Sequence, residues 1–340
     1  MKKKEIHAGT TDEEIISFID EIIKEDNRKI KNEEEKKELN WVFFDEINTC
    51  NSLGIITEIM CNHTYLGKKI KDNFVFIGAC NPYRLLNKKM KESGLVYYNT
   101  KEKNKLNNLV YSVNPLPHSL LNFVFDFGSL KKEDEFKYIQ NTIISIIKNI
   151  IEKKLIQNIS NEEIKTLILT IVETIAICHQ YIREKYDNSS VSLREIRRFG
   201  IFFEYFIKYF SSHSDYEKMQ LSLNMTLYLC YYLRLNDKND RKELSDKLIN
   251  YFPNSSFLKI PEIEISKISN QMNIEKAKGI ALNRTLKENL FTCFTCIINK
   301  VPLIIIGKPG TGKSLTFQIL YNSMKGEYSE SKLFRDKGKL

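Results

Sequence analysis

The sequence predicts an α/β protein in which a partial parallel sheet is followed by a large helical bundle and the start of a second α/β unit. Three observations support this fold class. Apolar runs that end in polar residues stand at 41–48 and 74–81, as expected for buried strands of a parallel sheet. Apolar residues at helical spacing continue from 118 to 252. A predicted helix over 284–298 leads to a third apolar run at 301–306, which continues through a glycine-rich loop into another helix.

The first helix is predicted to follow a basic, polar turn over residues 1–10. Thr10 or Thr11 can cap this helix, and three acidic residues at 12–14 place negative charge in its first turn, where the helix dipole favours it. Isoleucine and phenylalanine residues between 15 and 23 provide an apolar face.

The run 41–44 consists of four bulky apolar residues and is followed directly by Asp45 and Glu46. This is the Walker B pattern, a buried strand that delivers two acids at its carboxyl end, where an open α/β sheet places its ligand. Asp45 is a candidate Mg²⁺ ligand, and Glu46 is a candidate catalytic residue that orients and polarises the attacking water. A buried strand that ends in an ordinary solvated turn would show the same pattern.

A second polar strand end is predicted further along the chain. A helix over 52–61 and a polar turn lead to a strand at 74–79, which ends in Cys80-Asn81-Pro82. Asn81 resembles the sensor 1 residue of AAA+ ATPases, a catalytic residue that hydrogen-bonds the water and the γ-phosphate. The alternative is that Asn81 only starts a turn before Pro82. Arg84 is a candidate arginine finger.

The first domain is predicted to span 1–117. A polar, Lys/Asn-rich loop over 87–108 and a third strand at 109–113 complete it, and two prolines within 114–117 break the chain. The domain is interpreted as the large subdomain of an AAA+ module that carries the acidic strand and sensor 1 but no phosphate loop of its own.

A helical domain is predicted over 118–252, in the position of an AAA+ lid. Its helices are expected at 118–126, 133–156, 161–185, 192–211, 215–235 and 239–251. Arg194 lies in the first turn of the fourth of them and resembles the sensor 2 arginine, a catalytic residue. A cation at this end opposes the helix dipole, which favours a role other than helix stability. The alternative is an ordinary surface arginine.

The stretch 307–314 matches every fixed position of the phosphate-binding loop G-x-x-x-x-G-K-[ST]. The apolar run before it and the helical spacing after it supply the strand and the helix that the motif needs. Lys313 is expected to reach the β- and γ-phosphates of ATP, and Ser314 to ligate Mg²⁺. The predicted nucleotide-binding residues are Gly307, Lys308, Pro309, Gly310, Thr311, Gly312, Lys313 and Ser314.

The order of these motifs differs from that of a single nucleotide-binding domain, in which the phosphate loop comes first. Here the acidic strand, the sensor strand and the lid precede the phosphate loop. We therefore expect the back of one AAA+ module to be joined to the front of the next, which begins within 253–340. A circular permutation, in which Lys313 and Asp45 share one nucleotide, is the alternative.

Several stretches are longer than general AAA+ motifs, and together they resemble the mysterin family of giant RING-type E3 ubiquitin ligases. These stretches are 7–11 (HAGTT), 41–51 (WVFFDEINTCN), 77–84 (IGACNPYR), 115–117 (PLP), 125–130 (FDFGSL) and 302–315 (PLIIIGKPGTGKSL). The resemblance covers most of the 340 residues. It implies a dynein-like tandem AAA+ core that uses ATP and Mg²⁺, with neighbouring AAA+ modules of the same chain as partners. Ubiquitin transfer would belong to a separate region, because this sequence contains no RING-like Cys/His array.

Composition argues against several other classes of protein. The net charge is +9, but the basic residues are scattered, so nucleic-acid binding is not favoured. The seven cysteines are dispersed, and Cys293 and Cys296 fit core positions one helical turn apart better than a zinc site, so a reducing, cytoplasmic location is expected. Charged residues interrupt the longest apolar stretches, 166–182 and 291–306, which predicts no membrane span.

Four functions remain open from the sequence. The first is an ATP-binding and ATP-hydrolysing segment, the motor core of a mysterin-like ligase. The second is a dynein- or midasin-type mechanochemical ring without ubiquitin transfer. The third is a nucleic-acid motor, for which the lysines of 87–108 are a weak basic footprint. The fourth is a scaffold module that keeps the fold and does not hydrolyse ATP.

Overall fold

The structure is a computed structural model that describes residues 1–30, 39–82, 113–128, 130–186, 190–252, 257–272, 280–307 and 309–337. The chain divides into two compact units, Met1–Ser129 and Leu130–Leu340. Each unit has its own cluster of buried apolar side chains.

A three-stranded parallel sheet forms the centre of the first unit, in the order β1 (Lys2–Glu5), β2 (Asn40–Asp45) and β5 (Phe74–Gly78). The predicted strands at 41–44 and 74–79 are thus confirmed. The prediction of a turn over residues 1–10 is wrong, because residues 2–5 form an outer strand. This strand contains three consecutive lysines and therefore lacks the alternation of apolar residues by which strands are predicted. The edge of a sheet tolerates such charged side chains.

The two faces of this sheet differ. Val42 and Phe44 on the central strand are buried against the helices of the unit, α1 (Asp12–Ile30) and α2 (Leu53–Thr57). On the opposite face, Trp41 is 45% exposed and Ile77 is 43% exposed. Only one face of the sheet is therefore covered in the described part of the first unit.

Local signals set the ends of several elements in the first unit. The backbone N–H of Glu14 donates to the hydroxyl of Thr11 at 3.3 Å, so Thr11 caps α1 as predicted. The predicted helix 52–61 consists of α2 followed by a π-helical turn over Glu58–Asn62. A short hairpin of β3 (Thr64–Tyr65) and β4 (Lys68–Lys69) lies in the predicted polar turn.

The end of the first unit departs from its predicted helix. The predicted helix 118–126 is only α3 (His118–Leu121), and the following residues 122–128 are irregular and exposed. The predicted loop 87–108 and residues 109–112 of the predicted third strand lie outside the described residues.

The described part of the second unit is helical. The predicted helices at 133–156, 161–185, 192–211, 215–235, 239–251 and 284–298 are confirmed with small changes at their ends, and Lys259–Asn270 is a helix that was not predicted. The helices are α4 (Lys132–Glu152), α5 (Asn161–Lys185), α6 (Arg194–Tyr209), α7 (Asp215–Cys230), α8 (Lys238–Leu248), α9 (Lys259–Asn270), α10 (Arg284–Ile298), α11 (Lys313–Ser323) and α12 (Lys332–Lys337).

The residues after 253 share one core with the helices before them. Phe206 on α6 and Phe291 on α10 lie 6.2 Å apart between ring centroids. Ile319 and Leu320 on α11 belong to the same buried cluster. The predicted lid and the segment that carries the glycine loop therefore pack as one unit.

A buried polar network links three helices of the second unit. Glu135 on α4 contacts Nδ1 of His179 at 3.1 Å and accepts two hydrogen bonds from the guanidinium of Arg183, at 2.6 and 2.8 Å. Nε2 of His179 lies 3.1 Å from the hydroxyl of Tyr231 on α7. The bonds from His179 and Arg183 lower the pKa of Glu135 to about 2, whereas burial lowers the pKa of His179.

The prediction of a strand at 301–306 is wrong. Residues 301–307 have no regular secondary structure, and Ile304 is 84% exposed. A strand needs a neighbour to pair its backbone groups, and the described part of the second unit contains no strand. Apolar, β-branched composition alone therefore does not produce a strand here.

Candidate functional site

The acidic strand brings Asp45 to the carboxyl end of the sheet in the first unit. Asp45 is the last residue of β2 and lies opposite Glu5 of the neighbouring strand β1. Its Oδ2 atom accepts the ammonium of Lys3 at 3.0 Å, and 35% of its side chain is exposed. Asp45 is thus a solvent-accessible carboxylate that already binds a cation.

Glu46 follows with a left-handed backbone, at φ 58° and ψ 40°. Residues other than glycine rarely adopt this conformation, and such strain is concentrated at functional sites. Two hydrogen bonds from Thr49 hold the Glu46 carbonyl, at 3.0 Å from its N–H and 2.8 Å from its hydroxyl. The N–H of Ile47 donates to the carbonyl of Ala79 at 2.9 Å, which ties the turn to the next strand end. The Glu46 side chain is left exposed.

Asn81 lies just beyond β5 and is fixed to the acidic strand by Asn48. The Asn48 amide donates to the Asn81 carbonyl at 2.8 Å, and the Asn81 N–H donates to the Asn48 side-chain oxygen at 3.2 Å. Asn48 is 2% exposed, and its own carbonyl accepts the N–H of Asn114 at 2.7 Å. The structure therefore brings Asp45, Glu46 and Asn81 to the same edge of the sheet.

Two of these contacts were missed in the sequence analysis. Lys3 belongs to a strand that was not recognised, so its approach to Asp45 could not be expected. Asn48 carries a weak signal, since it lies three residues after Asp45 in the chain. Its partner is distant in sequence, and no local pattern identifies such a pair.

The stretch 307–314 lies in the second unit and has the backbone conformation of a glycine loop. Gly310 and Gly312 have φ values of 82° and 79°, which favour glycine. A Cβ atom added to Gly307 would lie 2.6 Å from the Thr311 hydroxyl oxygen, so a larger residue here would force the Thr311 side chain to move. Pro309 belongs to the described loop, whereas Lys308 lies outside the described residues.

The helix α11 starts at Lys313, with Gly312 as its N-cap. The first N–H groups of a helix have no intrahelical partner and carry partial positive charge, so they favour an anion at this end. The Lys313 ammonium donates to the carbonyl of Gly307 at 2.6 Å, which folds the side chain back over the loop. Ser314 is exposed at the next position.

Arg194 is the first residue of α6, and its side chain is exposed. Its backbone N–H donates a hydrogen bond to the Ser192 hydroxyl oxygen at 3.3 Å. The nearby carbonyl of Val191 accepts from the Arg183 guanidinium at 3.2 Å, so the polar network of the second unit anchors the entry to this helix. Arg84, the candidate arginine finger, lies outside the described residues.

The remaining site predictions concern metals and membranes. Cys293 and Cys296 are buried on α10, and burial raises the pKa of both thiols to about 11, as suits core residues. Within the described ranges, no group of three or more His, Cys, Asp or Glu residues is arranged to hold a metal ion. No helix in the described part of the chain is long and apolar enough to cross a membrane.

Comparison with known proteins decides the family. Two different family profiles, both described as an RNF213 AAA domain and numbered 3 and 4, match residues 1–84 and 279–340 respectively. The human E3 ubiquitin-protein ligase RNF213 is 30% identical over 98% of this chain, and zebrafish rnf213-beta is 31% identical over the same share. This chain is an RNF213-like AAA+ segment. RNF213 is also called mysterin, so the resemblance found in the sequence is confirmed.

The chain spans about 7% of the length of these curated relatives. Mouse RNF213 is 29% identical over 98% of this chain, which again spans 7% of its length. An α/β AAA+ fold class, with a small parallel sheet and many helices, agrees with the RNF213 AAA domain matches.

Proposed function

We propose that this chain is an ATP-binding and ATP-hydrolysing segment of an RNF213-like tandem AAA+ protein. In this proposal, 1–117 is the large subdomain of one module, 118–252 is its helical lid, and 253–340 begins the next module. The glycine loop at 307–314, whose last two residues begin α11, carries the proposal. The two differently numbered RNF213 AAA profiles favour successive modules over one permuted domain.

The glycine loop is proposed to hold the phosphates of ATP. Backbone N–H groups of the loop and of the first turn of α11 would face the phosphate oxygens. Lys313 would exchange its bond with the Gly307 carbonyl for the β- and γ-phosphates, which are stronger acceptors because they are charged. The exposed hydroxyl of Ser314 would ligate Mg²⁺ in this second module.

The acidic edge is the edge of the sheet that carries Asp45, Glu46 and Asn81. It is proposed to bind the nucleotide of the first of the two modules. Asp45 fits a Mg²⁺ ligand, because it is an accessible carboxylate and the Lys3 ammonium already stands in for a cation on its Oδ2 atom. A small protein ligand set also fits, since Mg²⁺ at nucleotides takes most of its ligands from phosphates and water. When bound, Mg²⁺ neutralises charge on the β- and γ-phosphates.

Glu46 and Asn81 are proposed to act on the attacking water. The left-handed turn at Glu46 presents its carboxylate to solvent, where it would orient and polarise water. Asn81 would hydrogen-bond the same water and the γ-phosphate. Arg194 would act as sensor 2 at the start of its helix.

Neighbouring AAA+ modules of the same protein are the proposed partners. The curated relatives are named E3 ubiquitin-protein ligases, so contact with the ubiquitin machinery is proposed for the whole protein. The seven cysteines are free thiols, which supports a reducing, cytoplasmic location.

Binding of a fluorescent ATP analogue tests the assignment of the loop. Lys313→Ala removes the cation that would contact the β- and γ-phosphates, so we expect binding to be lost. Lys332→Ala removes an exposed lysine of the same unit and serves as the matched control. Equal affinity of the two variants would exclude 307–314 as the phosphate site.

A further inference from the structure

Lys3 is shared between two carboxylates at the acidic edge of the first unit. Its ammonium lies 3.0 Å from Oδ2 of Asp45 and 3.1 Å from Oε1 of Glu5. In the sheet register, Lys3 is opposite Phe43 and Glu5 is opposite Asp45. Successive side chains of a strand alternate between faces, so Lys3, Glu5 and Asp45 all project to the same side of the sheet.

We propose that Lys3 is a positioning residue for the Mg²⁺ site at Asp45. Its ammonium occupies the Asp45 carboxylate while the metal is absent and transfers to Glu5 when the metal binds. This inference rests on the proposed role of Asp45 as a Mg²⁺ ligand.

The competition follows from the shared carboxylate. The Lys3 ammonium contacts Asp45 at Oδ2, and a divalent cation bound to either oxygen of this carboxylate would lie close to the ammonium and be repelled by it. The side chains of Lys3 and Asp45 are 42% and 35% exposed, so solvent weakens their ion pair. Lys3 therefore lowers the affinity for a divalent cation modestly, by about two- to fivefold, and does not block the site.

Glu5 determines where the displaced ammonium goes. Its side chain is 79% exposed and already contacts Lys3, so the transfer needs only the loss of one contact. Without Glu5, Lys3 would keep Asp45 as its partner on this side of the sheet, and the competition would be stronger. Glu5 is thus expected to help metal binding only through Lys3.

The neighbouring lysines provide controls. The Lys2 ammonium forms an ion pair with the Glu25 carboxylate at 2.6 Å, so replacing Lys2 would also remove that contact. Lys4 lies opposite Phe44 in the register and projects to the other side of the sheet from Lys3. Lys3→Met and Lys4→Met therefore remove the same charge at nearly the same distance along the strand, and only the first removes the contact with Asp45.

Mn²⁺ binding in the presence of a non-hydrolysable ATP analogue, measured by electron paramagnetic resonance on a longer RNF213-like protein that includes the complete module, tests this proposal. The signal that Asp45→Asn abolishes defines the site. We expect Lys3→Met to raise Mn²⁺ affinity at this site about two- to fivefold, and Lys4→Met to leave it nearly unchanged. Lys3→Gln keeps a polar edge strand and should match Lys3→Met, which separates loss of the contact from a change in folding.

A double-mutant cycle then tests the transfer to Glu5. Glu5→Gln should lower Mn²⁺ affinity when Lys3 is present and should have little effect in the Lys3→Met background. Equal effects of Glu5→Gln in both backgrounds, or of Lys3→Met and Lys4→Met, indicate a general charge effect and overturn the proposal. If Asp45→Asn removes no Mn²⁺ binding in either background, the proposed role of Asp45 fails as well.

Discussion

Asn48 and Asn81 hold each other through two reciprocal hydrogen bonds, of 2.8 and 3.2 Å, between the Asn48 side chain and the Asn81 main chain. The pair joins the turn after the acidic strand to the end of the next strand. Because both bonds use main-chain atoms of Asn81, its position depends on Asn48 whatever the Asn81 side chain contacts. The geometry of the proposed catalytic edge therefore relies on a residue that contacts no substrate in the proposal.

Replacing Asn48 should disturb this edge. Asn48→Ala leaves the partly buried main-chain groups of Asn81 without their Asn48 partner, and we expect the first unit to lose about 1 kcal/mol of unfolding free energy. Urea unfolding measures the loss, and hydrogen exchange at the Asn81 amide reports it locally. Asn51→Ala, at an exposed position of the same turn, is the control. Unchanged exchange at Asn81 in Asn48→Ala would contradict the structural role of the pair.

The glycine loop should depend on the left-handed backbone at Gly312. Gly312→Ala forces a Cβ into a conformation that costs about 1–2 kcal/mol, so binding of an ATP analogue should weaken about 5- to 30-fold if the loop must keep this shape. Gly54→Ala is the control, because Gly54 lies in α2 with no atom within 4 Å of an added Cβ. That variant should leave binding unchanged. A Gly312→Ala variant with wild-type affinity would mean that the bound loop differs from the one described.

The acidic edge makes separate predictions for its two acids in a longer RNF213-like protein that includes the complete module. Glu46→Gln should keep ATP binding and stop hydrolysis in this module, because an amide preserves the shape and cannot polarise water. Asp45→Asn should instead weaken Mg²⁺-dependent binding. Glu21→Gln, on the exposed side of α1, is the control for loss of a carboxylate. Single-turnover hydrolysis at the wild-type rate in Glu46→Gln would show that another residue is the base.

The polar network of the second unit should make its stability depend on pH. The pKa of Glu135 is lowered to about 2 in the folded state, so its contribution is present above the unfolded value of 4.5 and is lost as pH falls toward 2. The contribution is about 3 kcal/mol at most. The lowered pKa of His179 acts in the same direction, because the unfolded chain takes up a proton first as pH falls below 6.5.

Urea unfolding between pH 3 and pH 7 measures this dependence. Glu135→Gln should be less stable than the wild type at pH 7, and the difference should shrink as pH falls below about 4.5, the unfolded value. Glu133→Gln changes an exposed acid in the same helix turn and should show no such convergence. If the free energies of unfolding of Glu135→Gln and the wild type differ by the same amount at every pH, this network does not stabilise the charged form of Glu135.

Elements whose ends are fixed by neighbouring residues have the bounds predicted from the sequence. The helix α5 has the predicted bounds, and neighbouring residues fix its start, since Ser160 caps its first turn and Glu163 completes the capping box. The helix α10 also has its predicted bounds, 284–298, and the Asn283 side chain fixes its start by accepting the Leu286 N–H. Both signals need only neighbouring residues.

Features that depend on distant partners were missed or wrong. The strand Lys2–Glu5 exists because β2 lies beside it, and its own lysines give no indication of a strand. The run 301–306 has a strand composition but no strand beside it among the described residues of its unit. At the acidic edge, the apolar run before Asp45 made that residue predictable, whereas Lys3 reaches Asp45 from another strand.

ATP binding by the 340-residue chain distinguishes two successive modules from one permuted domain. The measurement is the affinity of a fluorescent ATP analogue with and without Mg²⁺, in the wild type, Lys313→Ala and Asp45→Asn. If the glycine loop and the acidic edge serve different nucleotides, Lys313→Ala loses binding, while Asp45→Asn keeps both the affinity and its Mg²⁺ dependence. Loss of Mg²⁺-dependent binding in Asp45→Asn would place both motifs at one nucleotide and contradict the tandem arrangement.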